Sequence, residues 1–220
     1  MLKIHWGFVD KIVYINLAER TDRRESIEFQ MKKAGIPQNK IIRFDAIKNE
    51  NGALGCTLSH IGVMAMAAEE NWENVLVLED DMIFNDDDES RDRINYFFSS
   101  LMSAEWDAGL LSGSYFSLKQ VHGCFYQLYF SFLANSYIVN QHYFKVLMDV
   151  FSSSKESLMN GVRRKYCCLD YNWNRLMEKD NWYAIYPCVG YQKTDMSNIE
   201  NTETNRELNR HGFNRHLRVI

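Results

Sequence analysis

Three consecutive carboxylates, Glu79, Asp80 and Asp81, follow the apolar run Val75-Leu76-Val77-Leu78 with no spacer. Four apolar residues in a row read as a strand buried on both faces. Three negative charges at its end repel one another and cost free energy unless a cation or a hydrogen-bonding ligand compensates. Oxygen ligands suit Mg²⁺ or Mn²⁺, which bind one or two protein carboxylates together with substrate phosphates. A diphosphate-bearing substrate is therefore the expected ligand. The competing reading is that the acids cap a following helix. Asn85-Asp86-Asp87-Asp88-Glu89, just downstream, is assigned to that role.

A second chemical cluster, Arg20-Thr21-Asp22-Arg23-Arg24, follows the apolar segment Lys11 to Leu17. Guanidinium groups bind phosphates bidentately and stack on base rings, and the N-terminus of a following helix adds free backbone donors. A nucleotide diphosphate fits such a loop. For Arg24 a solvated helix face is the better reading; for Arg20 and Arg23 both readings stand. His60, beside Ser59, lies near enough to the Gly55 loop to reach a ligand, although histidines at helix starts more often pack or cap. Gly55 would let backbone approach a ligand closely.

These residues need a scaffold. Lys11 to Leu17 reads as a buried first strand, and Asp22 to Ala34 as a helix with a capping box of Asp22 and Glu25, ended by Gly35 and Pro37. Ile41 to Phe44 is a short strand. Thr57 or Ser59 then caps a helix carrying Leu58, Ile61, Met64 and Ala68. Strand, helix, strand, helix, strand predicts right-handed βαβ units and a mostly parallel sheet, whose ligands sit at the carboxyl ends of the strands. That rim holds both the acidic triplet and the arginine loop. The second half predicts a helix from about Asp88 to Met102, a strand over Phe125 to Phe130, and a segment Ala134 to Val139 leading into a helix with Phe144, Leu147, Met148 and Phe151. A helix from Asp170 to Lys179 and a closing strand Trp182 to Tyr186 follow. From Ser197 onward the chain is polar. Residues 1–199 are expected as one domain and 200–220 as a polar tail.

With 220 residues, 46% of them hydrophobic, the composition is that of a globular domain rather than a disordered chain. A net charge of −4 gives no global field to attract nucleic acid. The five cysteines, Cys56, Cys124, Cys167, Cys168 and Cys188, show no CxxC pair and no Cys/His spacing suited to structural zinc. Reduced thiols in a cytoplasmic setting are expected. Met1 to Asp10 lacks the basic and apolar regions of a signal peptide, and no window is apolar enough to span a membrane. Peripheral contact with the cytoplasmic face of a membrane stays compatible with the sequence.

In order along the chain stand a strand followed by Asn16-Leu17-x-x-Arg20-x-x-Arg23, then Gly55-Cys56-Thr57-Leu58-Ser59-His60, Leu78-Glu79-Asp80-Asp81, and finally Tyr186-Pro187 with Gln192 and Ser197-Asn198-Ile199. This ordered set, over roughly residues 11 to 199, resembles glycosyltransferase family 25, the lipopolysaccharide galactosyltransferases and their collagen-modifying relatives. The resemblance implies an α/β protein with an A-type glycosyltransferase (GT-A) fold: a single Rossmann-like domain with a mixed, mostly parallel central sheet flanked by helices. It implies inverting transfer of a hexose, galactose from UDP-galactose, onto a hydroxyl of a glycan acceptor. It places Asn16, Leu17, Arg20, Arg23, Gly55, Ser59, His60, Glu79, Asp80 and Gln192 at the donor, and Glu79, Asp80 and Asp81 at Mn²⁺ or Mg²⁺.

An inverting transferase needs a base within hydrogen-bond reach of the acceptor hydroxyl. Asp170 stands where the resemblance expects an acid, although helix capping explains it equally; Asp107 is the second choice. Tyr115, Phe116 and Trp173 are candidates to stack on a sugar face, against the commoner role of aromatics in a core. One departure is Asn198, where the family pattern commonly has Asp. Asn keeps an acceptor oxygen but loses the charge, and Asp195 is a candidate substitute. A non-catalytic nucleotide-sugar or glycan-binding module is the alternative function. A phosphate-signalling receiver domain is disfavoured because its acidic pair belongs on the first strand.

Overall fold

The computed structural model describes residues 2–193, 195–196, 203–204 and 217–219. The first half follows the expected order: β1 (Lys11–Asn16), α1 (Thr21–Lys33), β2 (Ile41–Asp45), α2 (Gly52–Glu69), β3 (Asn74–Glu79). After the acidic turn come β4 (Met82–Phe84), α3 (Asp88–Ser103), β5 (Ala108–His122), β6 (Phe125–Asn140), α4 (Phe144–Met159), the one-turn helices α5 (Leu169–Asn172) and α6 (Asn174–Met177), and β7 (Trp182–Ile185). Short strands β8 (Gly190–Gln192), β9 (Asp195–Met196), β10 (Glu203–Thr204) and β11 (Arg218–Val219) complete the described chain.

A 7-stranded mixed sheet forms the middle layer. β1 lies between β2 and β3, parallel to both, and β3 pairs antiparallel with β6. β6 pairs antiparallel with β5, so β5 points the same way as β3, and β7 and β11 run parallel to β5. The carboxyl ends of β1, β2 and β3 therefore share one rim. β11 belongs to the segment expected as a polar tail, yet Arg218 and Val219 register with Ser117 and Leu118 at the sheet edge.

The continuous apolar runs are explained by the two cores they feed. Val13, Ile15, Val75 and Val77 face α2 and α4, joining Val63, Met64, Phe144, Leu147 and Phe151. Their alternates Ile12, Tyr14, Leu76 and Leu78 face α1 and α3, joining Ile27, Met31, Ile94, Phe97 and Leu101. A strand covered by helices on both sides has no polar face to show.

Several local expectations are corrected. α1 is entered by Arg20 with no side-chain cap, because Asp22 is drawn into an ion pair with Arg20 and no capping box forms. α2 begins five residues before Thr57, at Gly52, where the Asn51 side chain accepts from Leu54 N. Thr57 and Ser59 lie inside that helix and donate back to the carbonyls of Ala53 and Gly55. The two segments at 125–130 and 134–139 are one long strand, and the helix expected from Asp170 to Lys179 is broken at Trp173.

Candidate active site

The carboxyl rim opens into a cleft of about 430 Å³ lined by Leu17, Arg20, Arg23, Gly55, Ser59, His60, Glu79, Asp80, Asp81 and Gln192 among others. These residues come from β1, the β1–α1 loop, α1, α2, the β3 end and β8, so the fold gathers pieces spread over most of the chain. Asn16 lies beneath, buried, where its side-chain amide donates to Asp80 Oδ2 at 2.8 Å. The loop 46–49 supplies Lys48 and Asn49 to the wall, two residues for which the sequence gives no chemical spacing signal.

Within the acidic turn, donors are shared between carboxylates. Arg23 Nη1 reaches Asp80 Oδ1 at 3.0 Å and Asp81 Oδ2 at 3.2 Å. Gln192 Nε2 donates to Asp81 Oδ2 at 2.9 Å and to Glu79 Oε2 at 3.4 Å. Asp81 Oδ1 is buried with no hydrogen-bond partner among the described residues. Burial, reinforced by the charge of Glu79, pushes the Asp81 carboxyl up to about 7, and burial also raises that of Asp80, against the pull of Arg23. Arg23 is thus the counter-charge of the turn, whereas Arg20 pairs with the exposed Asp22 and Lys48 with Glu19.

The turn is held from behind by the β4–β8 pair, in which Met82 registers with Gln192 and Phe84 with Gly190. A Cβ at Gly190 would lie 2.3 Å from Met82 Cε and 2.4 Å from the carbonyl oxygen of Ile83. The Lys193 amide donates to the Asp81 carbonyl at 2.8 Å, continuing the clamp. Gly55 has a similar packing reason: a Cβ there would meet the Ile47 carbonyl oxygen at 2.5 Å, so the cleft loop, rather than a ligand, is the backbone that approaches it.

Asp170 sits in a smaller adjoining pocket of about 60 Å³, which shares Cys56, Glu79 and Gln192 with the main cleft and adds Leu133, Arg164 and Cys168. Its Oδ2 accepts from Leu133 N at 3.0 Å. Leu133 has φ +73°, a left-handed conformation that a leucine adopts only when its surroundings hold it there. Asp107 lies on the opposite rim, bound to His142 and to the Asn181 amide, away from the cleft. Tyr115 and Trp173 are fully buried, and Phe116 packs edge-on against Phe130 and Phe132. Gln192 lines the cleft; Ser197-Asn198-Ile199 lies outside the described residues, as does the side chain of Asp195.

Among the described residues, the buried Asp81 oxygen lacks a partner that a hard divalent cation would supply, although the oxygens of Glu79, Asp80 and Asp81 are not drawn together into a preformed ligand set. Residues 50–155, which carry α2, the acidic turn and the β5–β6 hairpin, match the sequence model of glycosyltransferase family 25, described as an LPS biosynthesis protein family. The match covers just under half of the chain and supports the resemblance to that family read from the sequence. The mixed, mostly parallel sheet with flanking helices agrees with the α/β architecture expected from the sequence. No curated protein sequence matches this chain.

Among solved structures, the chain is similar to a mannose-1-phosphate geranyltransferase from Thermus thermophilus, at 13% identity, covering 80% of this chain and 73% of that one, with a TM-score of 0.48. It is also similar to a glycosyltransferase involved in glycosylation of the major capsid of PBCV-1, at 14% identity, covering 80% and 81%, with a TM-score of 0.48. A third similar structure is A197 from STIV, at 10% identity, covering 84% and 86%, with a TM-score of 0.45. No helix among the described residues is long and apolar enough to cross a membrane.

Proposed function

We propose that this chain is a family 25 enzyme, an inverting, metal-dependent hexosyltransferase that moves galactose from UDP-galactose to a glycan hydroxyl. The observation that carries the reading is the under-compensated acidic turn, with its unpartnered Asp81 oxygen, at the base of a cleft large enough for a nucleotide. Glu79, Asp80 and Asp81 would hold Mn²⁺ or Mg²⁺, whose contribution is to neutralise the charge of the leaving diphosphate.

Arg20 and Lys48 receive the phosphates. Lys48 is exposed and its surface pair with Glu19 holds by only about 0–1 kcal/mol, so a phosphate displaces that acid at little cost. Arg23 stays with Asp80 and Asp81 and keeps the turn from splaying. Asn16 orients Asp80, and Leu17, Ser59 and His60 line the donor side. Asp170, from the adjoining pocket, takes the proton of the acceptor hydroxyl. That oxygen attacks the anomeric carbon from the face opposite the diphosphate, the bond to the diphosphate oxygen breaks, and one displacement inverts the centre. The fixed positions of both partners supply the main advantage over reaction in solution. Five unpaired thiols support a cytoplasmic location.

The test is a nucleotide-release assay with Mn²⁺, a panel of UDP-, GDP- and CDP-sugars, simple glycan acceptors, and a chelator control. Acceptor-dependent, chelator-sensitive UDP release from UDP-galactose is the expected result. Metal-dependent nucleotide binding without release from any donor would overturn the catalytic reading in favour of a binding module.

A further inference from the structure

On the α2 side of the acidic turn, three side chains of different chemistry converge. Cys56 and His60 are four residues apart on α2 and so share one face, and Glu79 comes from the end of β3. Cys56 Sγ lies 3.8 Å and His60 Nε2 3.5 Å from the same Glu79 oxygen, Oε1, and the three ligand atoms all fall within 4.8 Å of one another. A tetrahedral ion with bonds of about 2.3 Å to sulfur and about 2.0–2.2 Å to nitrogen and oxygen sets its N···O edge near ~3.4 Å and its S···O edge near ~3.6 Å. The observed edges match these within a few tenths of an ångström.

The histidine is already aimed. His60 Nδ1 is 2.7 Å from the Tyr137 hydroxyl, and the two rings stack at 5.7 Å and 23°. With the Nδ1 proton given to that oxygen, Nε2 presents its lone pair toward Glu79, the arrangement by which outer hydrogen bonds fix a metal-binding imidazole. Cys56, His60 and Glu79 all line the cleft, so an ion has a path in.

We propose that Cys56, His60 and Glu79 form a second cation site, selective for a thiophilic divalent ion of the Zn²⁺ class, with a fourth position open to the cleft. On binding, the Cys56 S–H bond breaks, its proton leaves to solvent and the sulfur electron pair goes to the metal. Thiolate and imidazole favour Zn²⁺ or Co²⁺, whereas the oxygen-only Asp80 and Asp81 favour Mn²⁺ or Mg²⁺. Glu79 belongs to both sets, so a Zn²⁺ ion on the α2 side draws one carboxylate from the other site, and Zn²⁺ antagonises Mn²⁺ loading. This second site does not depend on the transferase reading, and its readouts need no turnover.

Co²⁺ titrated into chelator-treated protein is the probe. One equivalent should produce a thiolate-to-cobalt charge-transfer band with the intense visible bands of a four-coordinate ion, and Zn²⁺ should bleach both. Cys56→Ser should abolish the charge-transfer band, and Cys168→Ser should keep it. Independently of any variant, Zn²⁺ but not Mn²⁺ should slow alkylation of Cys56, read by peptide mass spectrometry. Absence of the band in the unaltered protein, its survival in Cys56→Ser, or alkylation indifferent to Zn²⁺ would each overturn the site.

Discussion

At the amino rim of the sheet, Asp107 uses one oxygen to accept from the Asn181 amide at 2.8 Å and the other to meet His142 Nε2 at 2.6 Å. Nearby, Asp10 accepts from the Glu73 amide, and the Asn74 side chain ties Asp10 to Phe8. At the carboxyl rim, Asp80 and Asp81 divide one Arg23 nitrogen, Gln192 serves both Asp81 and Glu79, and one buried Asp81 oxygen has no partner among the described residues. Both rims are acidic, but among the described residues it is the carboxyl rim that holds a buried carboxylate oxygen without a hydrogen-bond partner. An acid that is fully partnered is structure; a group of acids sharing too few donors is a place where something else must bind.

This contrast breaks most visibly in paired substitutions. Asp81→Ala should lower metal-dependent turnover by about 10³-fold, equivalent to about 4 kcal/mol of lost charge stabilisation, while the chelated protein melts no lower than the unaltered one because a crowded charge has gone. Full activity in that variant would erase the distinction between the rims. Asp170→Asn should reduce turnover by about 10² to 10⁴-fold with donor affinity retained, since Asn still accepts from Leu133 N; donor affinity falling in step with turnover would make the residue structural. Asp107→Ala should do the reverse of Asp81→Ala, leaving turnover intact while costing about 1–3 kcal/mol of stability from the orphaned Asn181 amide, measurable by denaturant unfolding.

The smallest effect is one of pH. Asp81 titrates near 7 in the fold against an ordinary value of 3.8, so between those values the folded state holds a proton that the unfolded chain has released. Stability contributed by that proton is present below about pH 4 and is lost as pH rises through 7. In chelator, the melting temperature of the unaltered protein relative to Asp81→Asn should therefore fall from pH 5 to pH 8. A pH-independent difference between the two would show that burial does not strain this carboxylate.

The parallel first half is legible in the sequence because its signals are local. Apolar runs that feed two cores, ended by acids or arginines, place strand ends and hence one rim. Competition between near neighbours is not legible in the same way. Asp22 can cap α1 or pair with Arg20, and the pair forms; Thr57 and Ser59 look like caps but bond back inside a helix that Asn51 has already started. The β5–β6 hairpin shows only in pieces because its length is set by pairing partners far along the chain. Cys56 looks like one thiol among five, although its four-residue spacing from His60 is a helical signal that needs only Glu79 across the gap to become visible.

The clamp at Gly190 works as a gauge block. With no room for a Cβ between Gly190 and the Ile83 carbonyl, the spacing of the β8 and β4 backbones from which the Gln192 side chain reaches Asp81 is set by main-chain contact. Swapping Gly190 for alanine would act as a shim, lifting β8 off the acidic turn and retuning the ion-binding geometry without touching a single ligand.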